Sequence, residues 1–199
     1  MLQRRMRGFS LLEMMVVIAI GLIVSVMAQV ALQPTLKYTR VTNAYNITLM
    51  AMRQARDTAI AQRQVYYVTF THNAIPPDQI TITQGATGTV TNTFTLPNDV
   101  AFQAEVGLPG AGAAPDNFGN GGTAIDFDQG VPAGAKNVVY FYPDGTSEDV
   151  NGNINNGIIY LARTNDLYSS RAITVWGSTG RLRGWRLYLF NGSRYWRQM

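Results

Sequence analysis

Apolar residues fill positions 9–32 almost without interruption, and Glu13 is the sole charge in the run. At about 1.5 Å of rise per residue these positions make a helix of roughly 36 Å, enough to cross the hydrocarbon core of a bilayer. Pro34 has no backbone N–H and disfavours helix at Gln33, so a kink or brief break is expected there. Helical spacing then resumes. Val41, Tyr45, Thr48, Met52, Ala55, Ala59 and Ile60 recur mostly at three- and four-residue steps, while Arg53, Arg56, Asp57 and Arg63 fall on other faces. Glycine and proline are absent from positions 35–64. The pattern therefore predicts one long helix from Phe9 to about Gln64, its first half membrane-embedded and its second half amphipathic. Such an amphipathic face needs a sheet to cover it.

After Gln64 the pattern turns to strands. Val65-Tyr66-Tyr67-Val68-Thr69-Phe70-Thr71 is β-branched and aromatic, positions 79–83 alternate Ile80 and Ile82 with polar residues, and positions 89–96 continue in the same style. Six glycines with Pro109 and Pro115 in 107–122 read as an irregular surface loop. Strand-like runs return at 123–127, 138–142, 157–161, 171–175 and 185–189, with turns at Pro143-Asp144-Gly145 and Asn151-Gly152. A long helix followed only by strands gives an α+β fold, with an antiparallel sheet wrapped on the helix.

Composition narrows the function classes. The 199 residues are 46% hydrophobic and only 14% charged, and cysteine is absent. That excludes a disulfide scaffold, a thiolate metal site, an iron–sulfur cluster and a cysteine nucleophile. His72 is the only histidine, so a multi-histidine metal centre is excluded as well. The net charge of +4 conceals an asymmetry: nine acids against Lys136 in 78–149, then seven arginines against Asp166 from Arg163 to the end. An acidic middle and a basic tail suggest two surfaces with different partners, or one surface pairing with a neighbouring subunit.

Residues 1–8 carry Arg4, Arg5 and Arg7 and no acid, so they are expected to stay in the cytoplasm while the rest of the chain crosses. An ordinary secretory signal has a shorter apolar stretch and small residues at its cleavage site, whereas 29–34 offers only a poor one. The apolar helix is therefore expected to be retained. Glu13 does not fit a plain anchor, because a lone carboxylate in hydrocarbon costs several kcal/mol. A cut between Gly8 and Phe9 would create an α-amine about one helical turn from Glu13, able to neutralise it in the same chain or in a neighbour.

The stretch Arg7-Gly8-Phe9-Ser10-Leu11-Leu12-Glu13-Met14-Met15-Val16-Val17-Ile18-Ala19-Ile20 resembles the class III leader of type IV pilins and pseudopilins. The resemblance implies cleavage by a prepilin peptidase after Gly8, N-methylation of Phe9, and an assembly role for Glu13. It also implies an inner-membrane anchor, single-pass with its head in the periplasm, that becomes the core of a helical filament. Later phrases extend the likeness: Val139-Tyr140-Phe141-Tyr142-Pro143-Asp144-Gly145-Thr146, Gly157-Ile158-Ile159-Tyr160-Leu161, Arg171-Ala172-Ile173-Thr174-Val175 and Gly180-Arg181-Leu182-Arg183 are similar in order to the GspH/FimT branch of minor pilins. The resemblance implies three parts: a leader at 1–8, a transmembrane and assembly helix at 9–33, and a head at 34–199. Its implied partners are other major and minor pilins or pseudopilins. Positions 84–137 match no phrase of that branch.

Three clusters invite a chemical role. In the tail, Arg181, Arg183, Arg186, Arg194 and Arg197 interleave with Trp185, Tyr188, Tyr195 and Trp196, pairing phosphate-contacting with base-stacking side chains. Some competence pilins of the same branch are thought to bind DNA through a Gly-Arg-x-Arg motif, which Gly180-Arg181-Leu182-Arg183 matches. DNA is thus the alternative partner, with Gly180, Arg181, Arg183 and Arg186 as its candidate residues. The plainer reading has Gly180 making a hairpin turn and the arginines on a solvated edge or paired with another subunit. Asp144, Glu148, Asp149, Asn151, Asn153 and Asn155 offer oxygen donors of the kind calcium takes, but their spacing is not that of an EF-hand and they are read as turn formers. Asp126 and Asp128 are read as the wet face of a strand, and His72 as a loop residue. No cofactor, resident metal or catalytic group is expected, and the chain is read as a structural subunit rather than an enzyme.

Overall fold

The computed structural model describes residues 9–129 and 136–199, so the leader at 1–8, with Gly8, lies outside the described residues. The chain divides into two compact units, Met1–Thr39 and Arg40–Met199. One helix, α1 (Leu11–Gln62), begins in the first and ends in the second. Ser10 caps it: its hydroxyl accepts the Glu13 N–H at 3.2 Å, satisfying one of the orphan donors of the first turn. Of the kink or brief break expected at Pro34, the break is absent: helical backbone continues through it. A proline removes a single N–H bond, and the turns on either side keep theirs. In the first unit every described side chain is exposed, including Phe9 at 76%.

The second unit is the head. Eleven strands follow α1: β1 (Tyr66–Thr71), β2 (Gln79–Gln84), β3 (Val90–Thr95), β4 (Ala101–Phe102), β5 (Ile125–Gln129), β6 (Val138–Phe141), β7 (Ser147–Glu148), β8 (Asn156–Arg163), β9 (Asp166–Trp176), β10 (Arg181–Phe190) and β11 (Ser193–Gln198). They form two antiparallel sheets rather than the one expected. The first has the order β3-β2-β1-β6-β7, the second β11-β10-β9-β8-β4, with β5 also paired to β8. Three short or edge strands, β4, β7 and β11, had no clear alternation in the sequence to announce them.

The amphipathic half of α1 buries Val41, Ala44, Tyr45, Thr48, Leu49, Ala51, Met52, Ala55 and Ala59. Ile60 of the predicted stripe is exposed instead, while Ala44, Leu49 and Ala51 join the buried set. These helix residues share one core with Val68 and Phe70 of β1, Ile80 and Ile82 of β2, Val139 and Phe141 of β6, and Ile159, Leu161, Ile173 and Val175 of β8 and β9. Both sheets therefore wrap a helix whose contacting surface includes four alanines, Ala44, Ala51, Ala55 and Ala59. At Gly184 of β10 the strand lies so near the helix that any Cβ would run into the Tyr45 ring and hydroxyl.

A second cluster lies on the opposite face of the second sheet. Ile158, Tyr160, Ala172 and Leu187 are buried there beneath Leu108 and Phe118, with Trp176, Trp185 and Trp196 packed alongside. The glycine-rich segment read as a surface loop is thus a cover. It lacks regular structure apart from a 3-10 turn at Pro115–Asn117, yet it buries Leu108, Ala114, Pro115 and Phe118.

Candidate functional site

At the N-terminus of α1, Phe9 and Ser10 precede the first turn and Glu13 sits at its third position. The end of a helix carries partial positive charge, which favours an acid there. The apolar side chains that follow meet no protein partner, and one window of α1 is long and apolar enough to cross a membrane, with a mean hydropathy of 2.6. Phe9 and Glu13 therefore stand at the N-terminal end of an apolar helix whose side chains are exposed.

The C-terminal arginines do not form one strip. Alternation puts Arg181 and Arg183 on the face of β10 turned away from α1, with Trp185 and Leu187, while Arg186 falls on the face that carries Gly184. Gly180 makes the turn before β10 with φ of +57°, against the Gly145 carbonyl. Arg181 is exposed. Arg183 is not available in the same way. Its guanidinium donates to Asp116 at 2.6 Å and lies 5.5 Å from the Trp176 ring centroid. Asp116 also accepts the Thr174 hydroxyl at 2.5 Å, and that hydroxyl accepts the Trp185 indole N–H at 3.0 Å. The cover segment is pinned to the sheet through this network. A further tie runs from Arg194 to the Gly107 carbonyl at 2.8 Å.

Two links join the acidic middle to the basic tail within the head. Asp99 pairs with both Arg163 at 3.1 Å and Arg40 at 3.4 Å, and Asp116 pairs with Arg183. These two pairs take Asp99, Asp116, Arg163 and Arg183 out of any charged surface turned to a partner. Sequence spacing could not show it, because the partners lie on different strands and loops.

The oxygen-rich loop after β6 is a built turn. Asp149 is buried and accepts the Asn151 and Asn153 N–H groups at 2.9 and 2.8 Å, with the Asn153 and Asn151 amides beside it. Those hydrogen bonds, the Asn153 N–H foremost, hold its carboxyl below the usual carboxylate range. Asp144 is likewise lowered, by the Thr146 hydroxyl first. The Asp144 and Asp149 carboxylates are engaged by the turn, Asn155 Oδ1 is buried with no hydrogen-bond partner, and among the described residues no group of three or more His, Asp or Glu is arranged to hold a metal ion.

Two features carried no signal in the sequence. His72 is paired with buried Asp78, Nδ1 to Oδ2 at 3.0 Å, and Asp78 also accepts the Asn73 and Phe102 N–H groups at 2.9 and 2.7 Å. His72, Asn73 and Asp78 line a cleft of about 400 Å³ together with Asp99 and Arg163. The Asp78 carboxylate already joins the β1–β2 loop to β4, the Asp99 carboxylate accepts from Arg163, and Asp126 of β5 alternates with buried Ile125 and Phe127 as expected. The second feature is a groove of about 580 Å³ lined by Val65, Tyr67, Tyr140, Tyr142 and Pro143, where burial pushes the Tyr140 and Tyr142 hydroxyls up.

Comparison with known families finds one match: residues 3–29 fit the prokaryotic N-terminal methylation motif. Neither the curated proteins nor the solved structures offer a significant match to the chain. The motif supports a type IV pilin-like subunit, handled by a prepilin peptidase and assembled with other pilins. The long apolar-to-amphipathic helix packed on antiparallel sheets is the α+β architecture consistent with a type IV pilin-like fold.

Proposed function

We propose that the chain is a minor pilin or pseudopilin, a structural subunit of a type IV pilus or a type II secretion pseudopilus. The observation that carries this reading is the coincidence of the methylation motif at 3–29 with a helix that is long and apolar enough to cross a membrane. On this reading the peptidase cuts between Gly8 and Phe9, Phe9 is N-methylated, and the subunit waits in the bacterial inner membrane with its head in the periplasm. Filament entry then moves the helix among neighbouring helices. Glu13 pairs with a Phe9 amine, and the cost of leaving a carboxylate unpaired in an apolar bundle selects the axial register. Similarity of its later phrases to the GspH/FimT branch supports a low-abundance subunit acting in initiation rather than the bulk fibre.

Intact mass and N-terminal sequence of the protein from its native membrane test this. A chain beginning at methylated Phe9 is the expected result. A chain still beginning at Met1, in cells that contain the peptidase, would remove the main support and leave a plain anchored domain.

DNA capture in a competence pilus, through Gly180, Arg181, Arg183 and Arg186, is the less favoured reading. Arg183 is engaged by Asp116 and Arg186 lies on the other face, so Arg181 alone of the motif stands exposed. Under that reading Arg181→Ala with Arg183→Ala abolishes DNA retention by the protein, and unchanged retention excludes the motif.

A further inference from the structure

Among the described residues β3 pairs on one side only, with β2, and so forms one edge of the first sheet. The ladder decides which backbone groups face the open side. The Leu96 N–H donates to the Asp78 carbonyl at 2.9 Å, so the bonded pairs that follow are Ile80–Phe94 and Ile82–Asn92. Thr93 and Thr95 stand between these pairs, opposite Thr81 and Gln79, and their N–H and C=O groups point away from β2. The register shift beside Ile82 lies on the turn side of Asn92 and leaves both threonines in regular strand.

An open edge is a template for another strand, and charge, proline or a very short strand is the usual guard. The other sheet ends have such a guard. β4 and β7 are two residues long, β5 carries Asp126, and β11 carries Arg194 and Arg197. β3 is six residues long without proline, and positions 79–98 hold no charged residue. Its side chains also suit a copy of themselves: Phe94 turns inward, half-buried against the core, while Thr93 and Thr95 are exposed.

We propose that two copies of this chain pair edge to edge through β3, antiparallel and centred on Phe94. In that register Thr93 of each copy lies opposite Thr95 of the other, and each such pair exchanges both N–H···O bonds across the joint. Phe94 meets Phe94 of the second copy on the inner side, and the threonines meet on the outer side. Aromatic pairs and threonine pairs are both favourable across strands. The joint opposes no like charges, whereas self-pairing of β11 would set arginine near arginine. The contact is isologous, the same patch on both copies, and it makes the two five-stranded sheets continuous. The inference goes beyond the filament-subunit reading and does not rest on it, because the joint uses the head alone.

The absence of native cysteine lets mixed disulfides read the register. Thr93→Cys and Thr95→Cys are made separately in the full chain, purified in detergent, mixed and oxidised. Bonded cross-strand neighbours have Cα atoms about 5.5 Å apart, a separation that a disulfide spans. The expected result is a mixed disulfide several-fold above that of Thr81→Cys with Thr95→Cys, since Thr81 lies one strand farther in. A second test uses charge. The native chain should sediment as a dimer in density-matched detergent. Thr93→Lys plus Thr95→Lys should sediment as a monomer, as should Thr93→Glu plus Thr95→Glu, and mixing the two should restore the dimer. Restoration needs both variants folded, so a damaged head cannot imitate it. A mixed disulfide no greater than the Thr81 control overturns the proposal, as do charge variants that stay monomeric when mixed. Dimers that persist in both charge variants overturn it in favour of association through the apolar helix.

Discussion

Asp116 and Arg183 stand 67 positions apart in the chain and 2.6 Å apart in the head. One belongs to the glycine-rich segment that resembles nothing, the other to the motif that most resembles a DNA contact. Their pairing turns the first into a cover and the second into its clasp. Asp116 reaches the clasp from a left-handed backbone conformation, φ +52°, held by the cover's own 3-10 turn.

Breaking the clasp should cost stability. Asp116→Asn or Arg183→Ala is expected to lower unfolding free energy by about 2 kcal/mol, since one partner is nearly buried and the other a quarter exposed. Urea midpoints of the two single variants and the double variant would measure it. Strict additivity would mean the pair is not coupled.

Gly184→Ala should be destabilising by about 1–3 kcal/mol, because the added methyl overlaps the Tyr45 ring and its hydroxyl. Tyr45→Phe on the same background should recover part of the loss. Thermal unfolding of the four combinations decides it, and an additive Tyr45→Phe effect would show that the overlap is relieved elsewhere.

The Asp149 turn predicts acid sensitivity. Its carboxyl is held low in the folded head, so the stability it contributes is present above the unfolded value of about 3.9 and is lost as pH falls through the lower folded value. Urea midpoints followed downward from pH 6 should fall more steeply for the native sequence than for Asp149→Asn. Parallel curves would mean that the turn does not hold the charged form.

Glu13→Ala is expected to leave membrane insertion intact, since removing a charge from an apolar helix favours the bilayer. Incorporation into filament should fall sharply. Carbonate extraction reads the first property and cross-linking to other pilins in a sheared filament fraction reads the second. Normal incorporation would argue against the register role.

Much of this architecture was legible in order along the chain. The apolar run of 9–32, the alanine-rich stripe from Val41 to Ala59 and the alternating strands are short-range patterns, and periodicity alone reports which face each element buries. The N-terminal motif was legible for the same reason: glycine, phenylalanine and glutamate act at fixed spacing on one helix end. Pro34 shows the limit of a local rule, since a single missing N–H did not interrupt the helix around it. What only the tertiary structure decided are the meetings of distant residues. Periodicity could not divide the strands into two sheets, bring Asp116 to Arg183 and Asp99 to Arg163, or lay residues 107–122 over the tryptophans. Alternation along β10 separates Arg181 from Arg186, but only the tertiary structure shows which of those two faces turns to Tyr45. Composition counts charges, but neutralisation depends on distances across strands, and those arise only when the helix and both sheets close on one another.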